Sequence, residues 1–326
     1  MKLEGREGYY HLMSRTVNGE RLFGEVEKEV LRKMLWRVAD FSGVQVLTYA
    51  LMGNHFHVLV RIPERRKVSD AELVRRYGVL YSKPTRYAPL GSAEVARILA
   101  GEGADGPALR GRLLARMGEV SEFMKTLKQR FTIWYNHRHG RYGPLWSDRF
   151  KSVLVEGRGN PLQTMAAYID LNPVRAGLVT DPKDYRFCGY AEAVAGRASA
   201  REGLRVVWAA YAGGSRRKLS EEEALRSHRC YVFAKGLQGA PESERAAMLK
   251  VIEAGGELSK AAALRCRIRY LGGGAVFGSA EFVRGFVDRL FSESERKRPP
   301  RVRILERGSD WGDLAVLRPP RGSLFS

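Results

Sequence analysis

Residues 44–51 (VQVLTYAL) and 55–62 (HFHVLVRI) are two short apolar runs separated only by Met52-Gly53-Asn54. β-Branched and aromatic side chains suit a pleated, half-buried surface, and a Gly-Asn step between two such runs is a hairpin signal. Three residues cannot carry a crossover helix, so these runs must pair antiparallel if they pair with each other. In the second run His55 and His57 lie two apart. Strand side chains alternate between faces, so both imidazoles share one face and Phe56 turns to the other. Two imidazoles on one face can converge on a divalent ion: imidazole suits Mn, Fe, Co, Ni and Zn and complements oxygens around Mg. The motif is short, and two half-buried polar residues on an ordinary strand read equally well from it.

The flanking sequence supplies the rest of a sheet and its cover. Residues 8–17 read as a first strand, rich in aromatic and β-favouring residues. Residues 25–41 place Val26, Val30, Leu31, Met34, Leu35 and Val38 at helical spacing, and Ser42-Gly43 ends the run. Residues 64–118 are less regular, with loop-like YSKPTRYAPLGS and GEGADGPALRG between helical pieces. They read as a surface insertion and a potential lid over substrate. Residues 119–136 return to helix, with a stripe of Phe123, Leu127, Phe131 and Trp134; 137–146 read as a turn and 150–155 as a strand. Asn160-Pro161 then opens a helix, with Asn as N-cap and Pro in the first position, running to about 171 and stopping before Pro173. This order predicts an α+β fold, a largely antiparallel sheet with packed helices. It places a catalytic domain at 1–190 and a linker at 191–219. A basic, mostly helical C-terminal extension at 220–326 follows, with a Gly-rich turn at 271–274 and a flexible charged tail from Glu295.

The charge balance narrows the partners. The 326 residues carry 56 Lys+Arg against 36 Asp+Glu, a net +20. The excess is spread along the chain, with 32 basic and 21 acidic side chains before residue 200 and 24 and 15 after it. A field of that sign attracts polyanions, and neutralising phosphates supplies most non-specific nucleic-acid affinity. No apolar run reaches the roughly 18 residues of a membrane span, and the N-terminus lacks the apolar stretch of a signal peptide. Three distant cysteines (Cys188, Cys230, Cys266) argue against a disulfide framework and against an all-cysteine zinc site, and fit a cytoplasmic protein.

A second pair of residues can complete the histidine site. Tyr168 and Asn172 are four apart, hence one helical turn apart on one face. The amide oxygen can act as a third metal ligand and the phenol as a nucleophile, while Ile169 and Leu171 face the core. The same residues also fit a plain capped helix end. Residues 125–158 hold Lys125, Lys128, Arg130, Arg138, Arg141, Arg149, Lys151 and Arg158 against only Asp148 and Glu156, interleaved with Trp134, Tyr135, Tyr142 and Trp146. Charge that tracks a backbone and rings that stack on bases suit single-stranded nucleic acid. Trp134 continues the apolar stripe and belongs to the core. His137 and His139 form a second HxH, placed in a loop and facing phosphate or solvent, not a metal. Arg175 either reaches a phosphate or caps the helix end.

Together GNHFHVLV (53–60), GPLWSDRFKSVLVE (143–156), YIDLNPVRAGLV (168–179) and DYRFCGY (184–190) resemble the REP-associated tyrosine transposases, single-tyrosine members of the HUH superfamily. The resemblance runs over roughly 8–190, and YLGGGAVFGSAEFV (270–283) is similar to a tail of longer members. It implies a ferredoxin-like HUH nuclease core with a metal site for Mg2+ or Mn2+ at His55, His57 and Asn172. It implies Tyr168 as the nucleophile that cleaves and rejoins single-stranded hairpin DNA, of REP-like type, through a 5′-phosphotyrosine. DNA contacts are expected from Lys125, Lys128, Arg130, Arg138, Arg141, Arg149, Lys151 and Arg175, and a monomer is expected rather than a dimer. The 64–118 insertion departs from shorter members. Two rival readings are a DNA-binding regulator that keeps the fold, and a relaxase or replication-initiator nuclease. The YIxxNPVRAG pattern after the histidine pair favours the transposase.

Overall fold

The protein was studied as a computed structural model that describes residues 7–64, 67–84, 89–210, 219–234, 275–292, 302–304 and 314–317. The hairpin forms as its sequence requires: β2 (Gln45–Leu51) pairs antiparallel with β3 (His55–Ile62), Leu51 opposite Phe56, and the Met52 amide closes the turn on the His55 carbonyl at 2.8 Å. β1 (Gly8–Arg15) lies between β3 and β4 (Lys151–Val155), antiparallel to both. Among the described residues the sheet runs β2-β3-β1-β4-β5-β7-β6, with β5 (Val276–Ser279), β6 (Val302–Ile304) and β7 (Leu314–Leu317) continuing it. The β4–β5 pair is parallel and the rest antiparallel.

Alternation sorts the sheet into two faces. Tyr10, Leu12, Phe56, Val58 and Val60 form one, all buried. Against it pack α1 (Glu25–Ser42), through Leu31, Leu35 and Val38, and α5 (Val120–His139), through Phe123, Leu127 and Phe131. Burying each such side chain contributes about 1.5–3 kcal/mol. Trp146 joins the layers, its ring 5.5 Å from Phe56 and 5.9 Å from Phe131. Gly43 ends α1 in the left-handed region at φ 65°, a conformation that glycine adopts without strain.

The insertion is helical and lies elsewhere than expected. It folds into α2 (Asp70–Tyr81), α3 (Ser92–Ala100) and α4 (Asp105–Ala115), which bury Leu73, Tyr77, Leu80, Val95, Leu109 and Leu113. α2 docks on α1, where Arg75 pairs with Asp40 at 2.8 Å, and Tyr81 meets Phe41 edge-on at 5.8 Å. The insertion therefore thickens the layer opposite the histidines and is not a lid over them. Its apolar stripes find partners on α1 and on each other, which holds it away from the site.

The other sheet face carries α6 (Pro161–Asp170), α7 (Asn172–Arg175), α8 (Gly189–Val194), α9 (Ala198–Ala209) and α10 (Glu221–Ala234). The stretch 191–219 reads as a linker because it is rich in Ala and Gly, yet α9 within it packs on β2. A Cβ on Gly203 would stand 2.5 Å from the Leu47 carbonyl oxygen, so the small residue is what permits that approach. The C-terminal stretch adds α11 (Ala280–Ser292) but also β5, β6 and β7, where a mostly helical extension was expected. Runs of three or four residues are too short to show a period. The Gly-rich turn at 271–274 and most of the tail from Glu295 lie outside the described residues. No described helix is long and apolar enough to cross a membrane.

Candidate active site

β1 and β3 place three histidines on the face that α6 covers. In register Arg15 stands opposite His55, Met13 opposite His57 and His11 opposite Leu59, so His11 is the diagonal neighbour of His57. His11 is 1% exposed and His57 3%. Their rings stack with centroids 5.0 Å apart, and His11 Nε2 lies 2.8 Å from His57 Nδ1. The His55 ring stands perpendicular to that of His57 at 5.1 Å, and its Nδ1 lies 2.7 Å from Asn54 Oδ1. Burial, aided by the charges of Arg15 and Arg175, lowers the His55 pKa to about 4. Burial, then His11, His55, Arg175 and Arg15, pushes His57 well below the usual range. Both imidazoles are therefore neutral near pH 7, the form that ligates metals.

Helix α6 carries the tyrosine. Pro161 starts it, and Leu162, Met165, Ala166 and Ile169 bury against the sheet, which fixes the rotation of the helix. Tyr168, half-buried, meets His57 and His11 edge-on at 5.9 and 6.0 Å between centroids. Among the described residues none hydrogen-bonds its hydroxyl. At Leu171 the helix breaks into α7, which starts at Asn172. The Asn172 amide nitrogen donates to the carbonyls of Tyr168 (3.2 Å) and Ile169 (3.1 Å). Its Oδ1 accepts from Arg175 at 2.7 Å. An amide oxygen has a second lone pair, so that bond leaves one for another donor or a cation. Arg175 also donates to the Tyr168 carbonyl at 3.0 Å and lies 4.2 Å over its ring.

The expected N-cap is occupied differently. Asn160 sits in helical backbone with no side-chain cap; its Oδ1 accepts instead from Thr164 at 3.2 Å and from the Tyr231 hydroxyl of α10. α10 is clamped on α6 a second time: buried Asp170 accepts from His228 at 2.8 Å and from Thr48 at 2.6 Å. Sequence reasoning missed this pair, and it missed His11 and Arg15. Alternation along β1 does group His11, Met13 and Arg15, but only the pairing register reveals what they face.

The basic residues do not form one patch. Arg175 touches the site, and the register puts Lys151 on the histidine face, opposite Met13. Lys125, Lys128, Arg130 and Arg138 belong to α5 in the other layer, and Arg141 follows its end. Lys125 pairs with Glu122 at 3.3 Å, Arg130 lies over Tyr81 at 5.3 Å, and Arg141 lies 5.9 Å over Tyr135. Lys128 donates to the Asp148 carbonyl at 2.8 Å, and burial lowers its pKa to about 8. Arg138, Arg149 and Lys151 are exposed. Of the interleaved aromatics, Tyr142 is the open one at 96% exposure, whereas Tyr135 is buried and the Trp146 indole donates to Thr132 at 2.9 Å. The second HxH lies on the last turn of α5, not in a loop, because the helix runs on to His139; His139 Nε2 meets Glu27 at 3.1 Å.

As a metal site the donor set is partial but suitable. No cluster of three or more His, Cys, Asp or Glu side chains able to hold an ion occurs among the described residues. His55 and His57 each have Nδ1 engaged by a neighbour, which leaves Nε2 on both. Two imidazoles, an amide oxygen and oxygens from a phosphate or water make a donor set that a small divalent ion accepts.

A neutral histidine pair beside a tyrosine, in a strongly basic chain, has the parts of a site that handles nucleic-acid phosphates. Residues 6–84 match the model of a family described as transposase IS200 like. That match spans about a quarter of the chain, holds both site histidines and ends before Tyr168. A solved structure described as a REP-associated tyrosine transposase bound to a REP hairpin is similar at 15% identity. It covers 60% of this chain and 83% of that one, with a TM-score of 0.39. No curated protein matches.

Proposed function

We propose that this protein is a transposase that cleaves and rejoins single-stranded hairpin DNA by a metal-dependent, single-tyrosine reaction through a 5′-phosphotyrosine. The observation that carries the reading is the placement of Tyr168, 5.9 Å from His57 on the face where both histidines keep Nε2 available. His55, His57 and the Asn172 oxygen would hold Mg2+ or Mn2+. The bound ion would polarise a non-bridging phosphate oxygen and stabilise the charge that develops on it. Tyr168 attacks phosphorus: its Oη–P bond forms and the bond to the 3′ oxygen breaks. The phenol proton is lost to solvent, and the leaving oxygen takes one up as a free 3′-OH. A second 3′-OH reverses the step on another strand, so the phosphodiester bond energy is conserved and no nucleotide cofactor is consumed. Arg15 and Arg175 lie beside the histidines and offset the phosphate charge. One chain supplies both histidines and the tyrosine, which favours a monomer acting in cis.

The test is incubation of wild type and Tyr168→Phe with a labelled single-stranded hairpin and Mg2+ or Mn2+. Wild type gives a covalent adduct stable to denaturing electrophoresis, and Tyr168→Phe gives none; an adduct in the variant overturns the nucleophile. A His55→Ala/His57→Ala variant binds the hairpin without cleaving it. Undiminished cleavage in excess EDTA sinks the metal assignment.

A further inference from the structure

We infer that His11 and Asn54 are positioning residues for the proposed metal site, each holding the Nδ1 of one ligating histidine so that Nε2 faces the ion. This rests on the metal reading above.

The tautomers follow from the partners. Asn54 Nδ2 donates to the Gly19 carbonyl at 2.8 Å, which fixes its amide so that Oδ1 faces His55. An amide oxygen only accepts, so His55 Nδ1, 2.7 Å away, carries the proton and Nε2 keeps its lone pair. Between His11 and His57 one proton sits in the 2.8 Å gap. If His11 donated it, the proton of neutral His57 would lie on Nε2 and block ligation. If His57 Nδ1 donates to His11 Nε2, Nε2 of His57 is open. A cation therefore selects the second arrangement, and His11 is the acceptor that makes it available. Metal-ligating histidines commonly depend on such an outer partner for ring orientation and basicity.

His11 is well placed to do this without moving. Its strand has neighbours on both sides, with His11 opposite Leu59 on β3 and opposite Val153 on β4. The bland alternative is a satisfied core histidine and a turn asparagine that merely serve folding.

The experiment is Mn2+ binding to full-length protein without DNA, followed by electron paramagnetic resonance, alongside the thermal midpoint of each metal-free variant. His11→Leu and Asn54→Ala should weaken Mn2+ by about 10–100-fold, the usual consequence of losing an outer partner. His11→Gln and Asn54→Asp, which keep an accepting oxygen, should retain most of the affinity. Imidazole 15N spectra at a Mg2+ concentration that saturates wild type add a second readout: the His57 proton sits on Nδ1 in wild type and stays partly on Nε2 in His11→Leu. If His11→Leu does not fold, Asn54→Ala against Asn54→Asp and the His11→Gln spectrum decide. Unchanged Mn2+ affinity in folded His11→Leu and Asn54→Ala, with binding still lost in His55→Ala/His57→Ala, overturns this inference alone. No Mn2+ binding by wild type overturns the metal reading and this inference with it.

Discussion

At the scale of single residues, Arg175 does three things at once. It donates to the Tyr168 carbonyl, donates to Asn172 Oδ1 and lies over the Tyr168 ring. A planar guanidinium can stack on an aromatic face while one of its nitrogens bonds two oxygens, and a lysine ammonium cannot stack in that way, so lysine is a poor substitute. If the guanidinium also meets the phosphate at Tyr168, Arg175→Ala lowers the single-turnover rate of adduct formation by about 100-fold, the scale of one preorganised donor. Arg175→Lys recovers little of it. A rate within error of wild type, with only a lower melting midpoint, reduces Arg175 to a helix cap. Arg15 is its counterpart across the site, on a strand and exposed. Its loss should weaken hairpin binding more than it disturbs folding, as read from the dissociation constant and melting midpoint of Arg15→Ala.

At the scale of elements, the tyrosine helix is held from behind. Asp170, two residues beyond Tyr168, accepts from Thr48 of β2, from His228 of α10 and from the Tyr190 amide at 3.4 Å. Asp170 and His228 are both fully buried. Breaking such a pair by removing one partner costs about 3–5 kcal/mol. Asp170→Ala is therefore expected to lower the unfolding free energy from urea denaturation by that amount and to loosen α10 from α6; a loss under 1 kcal/mol (roughly a surface substitution) contradicts the clamp. Gly203→Ala drives a Cβ against the Leu47 and Val46 carbonyls and should cost about 1–3 kcal/mol of overpacking. These contacts also mark where sequence reasoning ends. The hairpin, α1, and the shared faces of His55 with His57 and of Tyr168 with Asn172 are periodic and local, so they can be read directly. Asp170 and His228 stand 58 residues apart, and nothing in either segment specifies the other. His11 is visible on its strand, but its contact with His57 depends on a register set by the whole sheet. Gly203 and its alanine neighbours look like a linker because close packing and flexibility use the same small residues. The insertion shows its helices in sequence but not the face on which they dock.

At the scale of the whole molecule, a net +20 predicts that the proposed DNA binding is salt-dependent. For single strands the log–log slope is about −0.7 per phosphate neutralised, so five contacts give roughly a 100-fold loss between 50 and 200 mM salt. Tyr168→Phe should show the same slope, since it removes no charge. The stronger question at this scale is whether one chain makes one site. Tyr168 and His57 belong to the same chain and their rings lie 5.9 Å apart, with α6 buried on its own sheet and tied to β2 through Asp170. A tyrosine so anchored cannot reach a second molecule's histidines without breaking that packing. Mixing Tyr168→Phe with His55→Ala/His57→Ala should therefore restore no adduct at any ratio, because neither chain holds a complete site. A pair of chains that exchange tyrosines would instead recover up to one wild-type site per heterodimer, and the adduct would carry Tyr168 of the histidine-deficient chain. Tagging the two variants with different masses tells these outcomes apart, and an adduct on the histidine-deficient chain would show that α6 swings between protomers.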